Sequence, residues 1–170
     1  MMPPYMQRLF RRIQGIFQVG TVSVAGDDAG EVQTAQVTVS GRSVRNGLPV
    51  VQQYGFSAVL PAGTDAVILS ISGDASNGAI IGTLNKAARP KNLAQGQVCI
   101  FTEGGDQILL DNSGGTGIVM KPAAGKVKIE GDLDVTGDAN ITGDAVIGGI
   151  SFEKHVHRIP SGADLTEEPQ

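Results

Sequence analysis

From Gly125 onward the chain repeats every six residues, with glycine at positions 125, 131, 137, 143 and 149. The second and fourth residues after each of the first four glycines are apolar: Val127 and Ile129, Leu133 and Val135, Ala139 and Ile141, Ala145 and Ile147. Asp132, Asp138 and Asp144 follow three of these glycines, and Thr136 and Thr142 precede two. Residues two apart lie on one side of an extended chain, and an even period keeps that side facing one way through every repeat. Glycine lets the backbone turn where a Cβ would clash, and aspartate favours the same turns. Each unit is therefore one short strand with a corner, and none can cover its apolar side alone.

Two architectures use such hexads. In a left-handed single-chain β-helix, as in hexapeptide-repeat acyltransferases, a coil consumes about three hexads, so this segment would make little more than one coil. In an intertwined trimer, each of three chains supplies one strand per layer and the apolar residues meet on the threefold axis. The same residues then give about four layers. Symmetric closure is the usual way in which oligomers finish, and it removes sheet edges that would otherwise invite aggregation. The spacing thus predicts a homotrimeric, triple-stranded β-helical shaft over residues 125–149.

The rest of the chain reads as β structure as well. Trp is absent, aromatics make up 4% of the 170 residues, and 24 are glycine. The apolar mass is mostly Val, Ile, Leu and Ala, which favours short strands between tight turns. Residues 1–17 form an N-terminal docking segment, with an amphipathic helix expected from Tyr5 to Phe17. There Met6, Leu9, Phe10, Ile13 and Phe17 recur on one side, and Arg8, Arg11 and Arg12 fall on the other. Period-two alternation then takes over across residues 18–88, at Val22 and Val24 and at Val37 and Val39. Apolar runs follow at residues 50–51, 58–60, 66–69 and 79–81. Five or six short strands so spaced suit a small closed barrel of the OB-fold kind. Residues 89–124 read as neck strands, at 98–101 and 107–110, joined by turns at Gly104-Gly105 and Gly114-Gly115. The single cysteine, Cys99, is expected to be a small hydrophobe in a buried strand.

After Gly149 the hexad ends, and the only two histidines follow as His155-Val156-His157. On a strand both would project to one face. On a threefold axis, three such pairs bring six imidazoles to one point, a donor set for an octahedral transition metal and not for tetrahedral zinc. A metal there would crosslink the chains where the layers run out. Residues 150–170 are therefore read as a small metal-bound apex, with His155 and His157 as ligands.

The chain resembles the central baseplate spikes of Mu-like contractile-tailed phages, and more distantly those of P2-like phages and the tip proteins of type VI secretion. The resemblance is carried by Gln53-Tyr54-Gly55-Phe56, Leu60-Pro61-Ala62-Gly63 and Ala88-Arg89-Pro90-Lys91, together with the Gly-Asp hexads and the terminal His-x-His. It implies an all-β homotrimer with an OB-fold head, a triple-stranded β-helix and a pointed apex holding one iron ion per trimer on His155 and His157 of all three chains. It also implies partners: the baseplate hub and tail tube proteins, and the host outer membrane surface. The protein would be made in the host cytoplasm, ride at the tip of the tail baseplate and open the envelope mechanically as the tail contracts. Some relatives carry a lysozyme domain, for which no segment here is assigned. Calcium or chloride in the shaft is a further implication that no particular residue locates.

Charge and motif content bear on the alternatives. The formal net charge of −4 and the scarcity of basic residues around Tyr54 and Phe56 argue against a single-strand-binding OB-fold, and no nucleic-acid partner is expected. Both histidines lie beyond the hexads, where a hexapeptide-repeat acyltransferase would need its general base within them. No nucleophile with a nearby histidine is visible by motif, so no catalytic residue is assigned. Neither a membrane span nor a signal peptide is expected, since the N-terminal arginines precede no long apolar run.

Overall fold

The computed structural model describes residues 3–39, 43–74, 76–114 and 117–156, the side chain of Arg11 excepted. Residues 1–127 form one compact unit and residues 128–170 a second.

The first unit opens with helix α1 (Pro4–Gln14). Pro4 stands at the first helical position, where its missing N–H costs nothing, and Gln7 N–H donates to the Pro3 carbonyl. The helix stops three residues before the expected end at Phe17. Gly15 breaks it, and Phe17 instead opens strand β1 (Phe17–Asp27), paired with Leu69. Four more strands complete a sheet: β2 (Thr34–Val39), β3 (Ser43–Pro49), β4 (Asp65–Ser70) and β5 (Gly78–Leu84). All neighbouring pairs are antiparallel, in the order β3-β2-β1-β4-β5.

The two edges of this sheet meet just past β3. Val50 forms a parallel bridge with Ile80, and Val51 N–H donates to the Ile80 carbonyl at 2.9 Å. The sheet is thereby closed into a small barrel, and its edges are paired instead of exposed. Alternate residues fill the interior: Val22; Ala35, Val37 and Val39; Leu48; Ala66 and Ile68; and Ile80, with Leu60 contributed by a loop. Gly20 also faces inward, against β2. A Cβ there would lie 2.6 Å from Val37 Cγ1 and 2.7 Å from the Thr38 carbonyl oxygen, so the close approach of the two strands requires glycine.

Several local expectations are corrected. Val24, grouped with Val22 by periodicity, is exposed, because a register shift between them turns the chain over. Strand β3 was not anticipated: its Asn46-Gly47 reads as a turn, yet Gly47 sits at φ 63° inside a bulge opposite β2. Residues 58–60 form no strand. Gln52 holds that stretch instead, its side chain accepting from Ala58 N–H and donating to the Ala58 carbonyl.

A separate antiparallel meander follows: β6 (Val98–Phe101), β7 (Gln107–Asp111) and β8 (Gly117–Lys121). The first two strands fall at the expected residues 98–101 and 107–110, and β8 adds a third. The connection between β6 and β7 is fixed by Thr102 and Asp106, which exchange side-chain and backbone bonds, while Asp106 also accepts from Ala123 N–H at 2.9 Å.

Two predictions follow from these contacts. Ile68 is wholly buried, so Ile68→Ala is expected to destabilise the barrel by about 2–5 kcal/mol, read as a fall in the denaturation midpoint. The Ala123 N–H and the Thr102 hydroxyl hold the Asp106 carboxyl below its ordinary pKa. The stabilisation is thus complete above the unfolded value of about 3.9 and lost as pH falls through the lower folded one. The Ala123 amide resonance should accordingly titrate with a midpoint below about 3.9; a midpoint at or above that value would contradict the bond.

Candidate functional site

The second unit contains one hydrogen-bonded pair of strands among its described residues, β9 (Val146–Ile147) and β10 (Ile150–Ser151). Gly148 and Gly149, at φ 59° and 84°, make the two-residue turn between them, a conformation in which both residues need positive φ. The hairpin takes in the last apolar residue of the fourth hexad, Ile147.

The chain then does not continue as a strand. Phe152–Lys154 form a turn, and His155 N–H donates to the Ser151 carbonyl at 3.1 Å, closing a single helical turn. An expectation of extended backbone through His155 is corrected by the way this turn is capped. Phe152 N–H donates to the Ala145 carbonyl at 2.8 Å, Glu153 N–H to Asp144 Oδ1 at 3.1 Å, and Lys154 N–H to Ser151 Oγ at 2.9 Å. Every N–H of the turn thus has an acceptor, which a short turn needs in order to persist. The Ser151 hydroxyl and the Glu153 N–H, in that order, hold the Asp144 carboxyl below its ordinary pKa.

The turn also orients the His155 ring. Its Nδ1 lies 2.9 Å from the Phe152 carbonyl oxygen and 3.2 Å from that of Ser151, and its ring stacks at a tilt on Phe152 with centroids 5.9 Å apart. A carbonyl only accepts, so the neutral imidazole carries its proton on Nδ1 and its lone pair on Nε2. That is the arrangement of a metal-binding histidine, whose second nitrogen is held by a backbone carbonyl or carboxylate. His157 lies outside the described residues. Among the described residues no three His, Cys, Asp or Glu side chains gather in one chain, for iron or for calcium.

The hexads before the hairpin have no strand bonded within the chain between Lys121 and Val146. Their large apolar side chains are uncovered: Val127, Ile129, Leu133, Val135 and Ile141 are all at least half exposed. The meander of the first unit shows the same condition on one face. Val98, Leu110 and Ile118 form one cross-strand row, and Ile100, Ile108 and Met120 the next. All six are 40–62% exposed. Cys99, expected to be buried, is only half-buried, as are its row partners Leu109 and Val119 on the opposite face. On α1, Met6, Leu9, Phe10 and Ile13 are also exposed.

The described basic side chains of the barrel are engaged, Arg45 with the Ser70 hydroxyl at 3.1 Å and Lys86 with Asp65 at 2.6 Å. Tyr54 stands fully exposed on a loop braced by Gln52, without basic neighbours in its sequence. Phe56, Leu60, Pro61, Ala88 and Arg89, from three of the motifs singled out above, instead line one cleft of about 700 Å³ that also reaches Phe101 of β6.

Residues 20–87 match the family described as bacteriophage Mu Gp45, N-terminal. The matched stretch coincides with the barrel, which runs from β1 to β5, and covers less than half of the 170-residue chain. It agrees with the resemblance carried by the motifs and is consistent with a Mu-like phage baseplate or tail protein. No curated protein matches the chain.

Proposed function

We propose that this chain is the central spike of a contractile phage tail, a homotrimeric, non-enzymatic needle that punctures the host outer membrane mechanically. The barrel is its OB-fold head, bound to baseplate hub and tail tube proteins, and its place is the tip of the baseplate in the virion. Residues 125–149 wind with those of two further copies into a triple-stranded β-helix. The observation that carries this reading is the hexad segment, where apolar side chains recur on one face with neither a covering layer nor a backbone ladder within the chain. Such a segment is stable in water only when other strands supply both, because unpaired backbone groups cannot be buried alone. The two apolar rows of the meander extend the same need upstream, and the family match over the barrel supplies the phage context.

At the tip, His155 and His157 of three chains would hold one iron ion through six nitrogens, and the metal would crosslink the chains where the hexads end. The Nδ1 bonds of His155 favour this, because they fix which nitrogen carries the lone pair. Force would come from tail contraction, and the protein's own task is to stay rigid and pointed.

Native mass and metal content, measured on protein never exposed to an affinity column or chelator, test the reading. The expected result is a trimer with about one iron per three chains, as six imidazoles require; a metal-free monomer would refute it. Truncation after Gly149 should leave a soluble trimer without bound iron. Ile141→Asp, which places charge at an axial position, should abolish the trimer or lower its melting temperature sharply, whereas Asn140→Asp should leave it near wild type. Equal tolerance of the two changes would mean that the facing of the hexads is wrong.

A further inference from the structure

We propose that Asp144, acting with Ser151, is a positioning residue for the His155 ligand; the role rests on the metal-bound tip proposed above. In the repeat, Asp144 is merely the third aspartate to follow a glycine, equivalent to Asp132 and Asp138. Its surroundings set it apart. Among the described residues, neither Asp132 nor Asp138 makes a side-chain hydrogen bond, whereas Asp144 Oδ1 accepts from Glu153 N–H, nine residues on, at 3.1 Å. The Ser151 side-chain oxygen accepts from Lys154 N–H, the next amide of the same turn, at 2.9 Å.

These bonds cap the turn that ends in His155. The two carbonyls against which His155 Nδ1 lies, those of Ser151 and Phe152, belong to the same turn. Loss of the Asp144 acceptor leaves the Glu153 N–H without its partner and loosens the frame that sets the direction of Nε2. Asp144 does not touch the metal in this scheme. It acts through the backbone, as groups behind a metal ligand do, and removing such groups typically lowers metal affinity 10–100-fold. What the cap needs from residue 144 is a side-chain oxygen on a short stem. Asparagine supplies one and alanine does not.

The test compares full-length wild type with Asp144→Ala, Asp144→Asn, Ser151→Ala and His155→Ala. Trimer mass is measured for each, then affinity for Fe(II) or Co(II) by chelator competition, with the visible d–d spectrum of the Co(II) form as a signature of ligand geometry. Asp144→Ala should remain trimeric, bind about 10–100-fold more weakly and show altered Co(II) bands. Asp144→Asn should restore both affinity and spectrum to within a few-fold of wild type. Wild-type affinity and spectrum in Asp144→Ala would overturn the proposal, and so would an equal loss in the alanine and asparagine variants. Should Asp144→Ala fail to form a trimer, Ser151→Ala carries the test, with weakened binding expected and wild-type binding refuting. His155→Ala separates the two layers of argument. Unchanged metal in that variant would refute the metal-bound tip itself, whereas loss there alongside full retention in Asp144→Ala would refute only the positioning role.

Discussion

A polypeptide cannot bury an apolar stripe against nothing, nor leave a row of backbone amides without acceptors once water is excluded. Two stretches of this chain stand differently toward that constraint. The barrel meets it internally: five strands pair side by side in the order β3-β2-β1-β4-β5, and the Val50–Ile80 bridge joins the two edges. Its core is then complete from its own side chains, with Val22, Val37, Ile68 and Ile80 essentially inaccessible to water. From the meander onward the described apolar rows are not covered in this way. The rows Val98-Leu110-Ile118 and Ile100-Ile108-Met120 are well paired through their backbones but uncovered on one face, and the hexads lack even the backbone pairing. The side chains change accordingly, from an interior that closes to faces that need a neighbour.

Period-two alternation located this sheet through β2 and β4, which carry inward apolar residues at every second place, and the family match covers the same stretch. It failed where the backbone departs from a regular ladder. Val24 lies past a register shift that no pattern of hydrophobicity records. Strand β3, Ser43–Pro49, presents Leu48 alone to the core, and its Asn46-Gly47 pair is ordinarily a turn signal. A tertiary partner decided both cases: β2 demands a strand beside it, and Gly47 allows the bulge that fits the register. Residues 58–60 erred in the other direction. Their apolar run reads as a strand, but Gln52 takes up the backbone groups of Ala58 with its amide, and Leu60 enters the core from a loop.

The neck shows a different kind of discrepancy. Strands β6 and β7 fall where the alternating apolar residues and paired glycines place them, yet Cys99 is only half-buried and the residues flanking it are exposed. Local pattern specifies that a side chain faces an apolar layer without specifying which chain supplies the layer. Burial read from such a pattern is burial against a layer, and among the described residues none covers the rows of Val98 and Ile100.

The histidine turn carries the lesson to the level of single residues. His-x-His on a regular strand would put both rings on one face, and that simple geometry is what the spacing alone conveys. The chain instead bends through Phe152–Lys154, and it can do so because Gly148-Gly149 reverse it first and bring residues 144–145 beside residues 151–153. The reversal gives Asp144 a task that Asp132 and Asp138 do not have, although all three follow a repeat glycine. A short acidic side chain that serves as a corner in one hexad becomes a cap where a folded-back segment offers it an amide. Repetition in the sequence therefore fixes the kind of residue, while the point at which repetition ends fixes its use. The paired glycines that close the hexad series are what convert a structural repeat into a frame for His155.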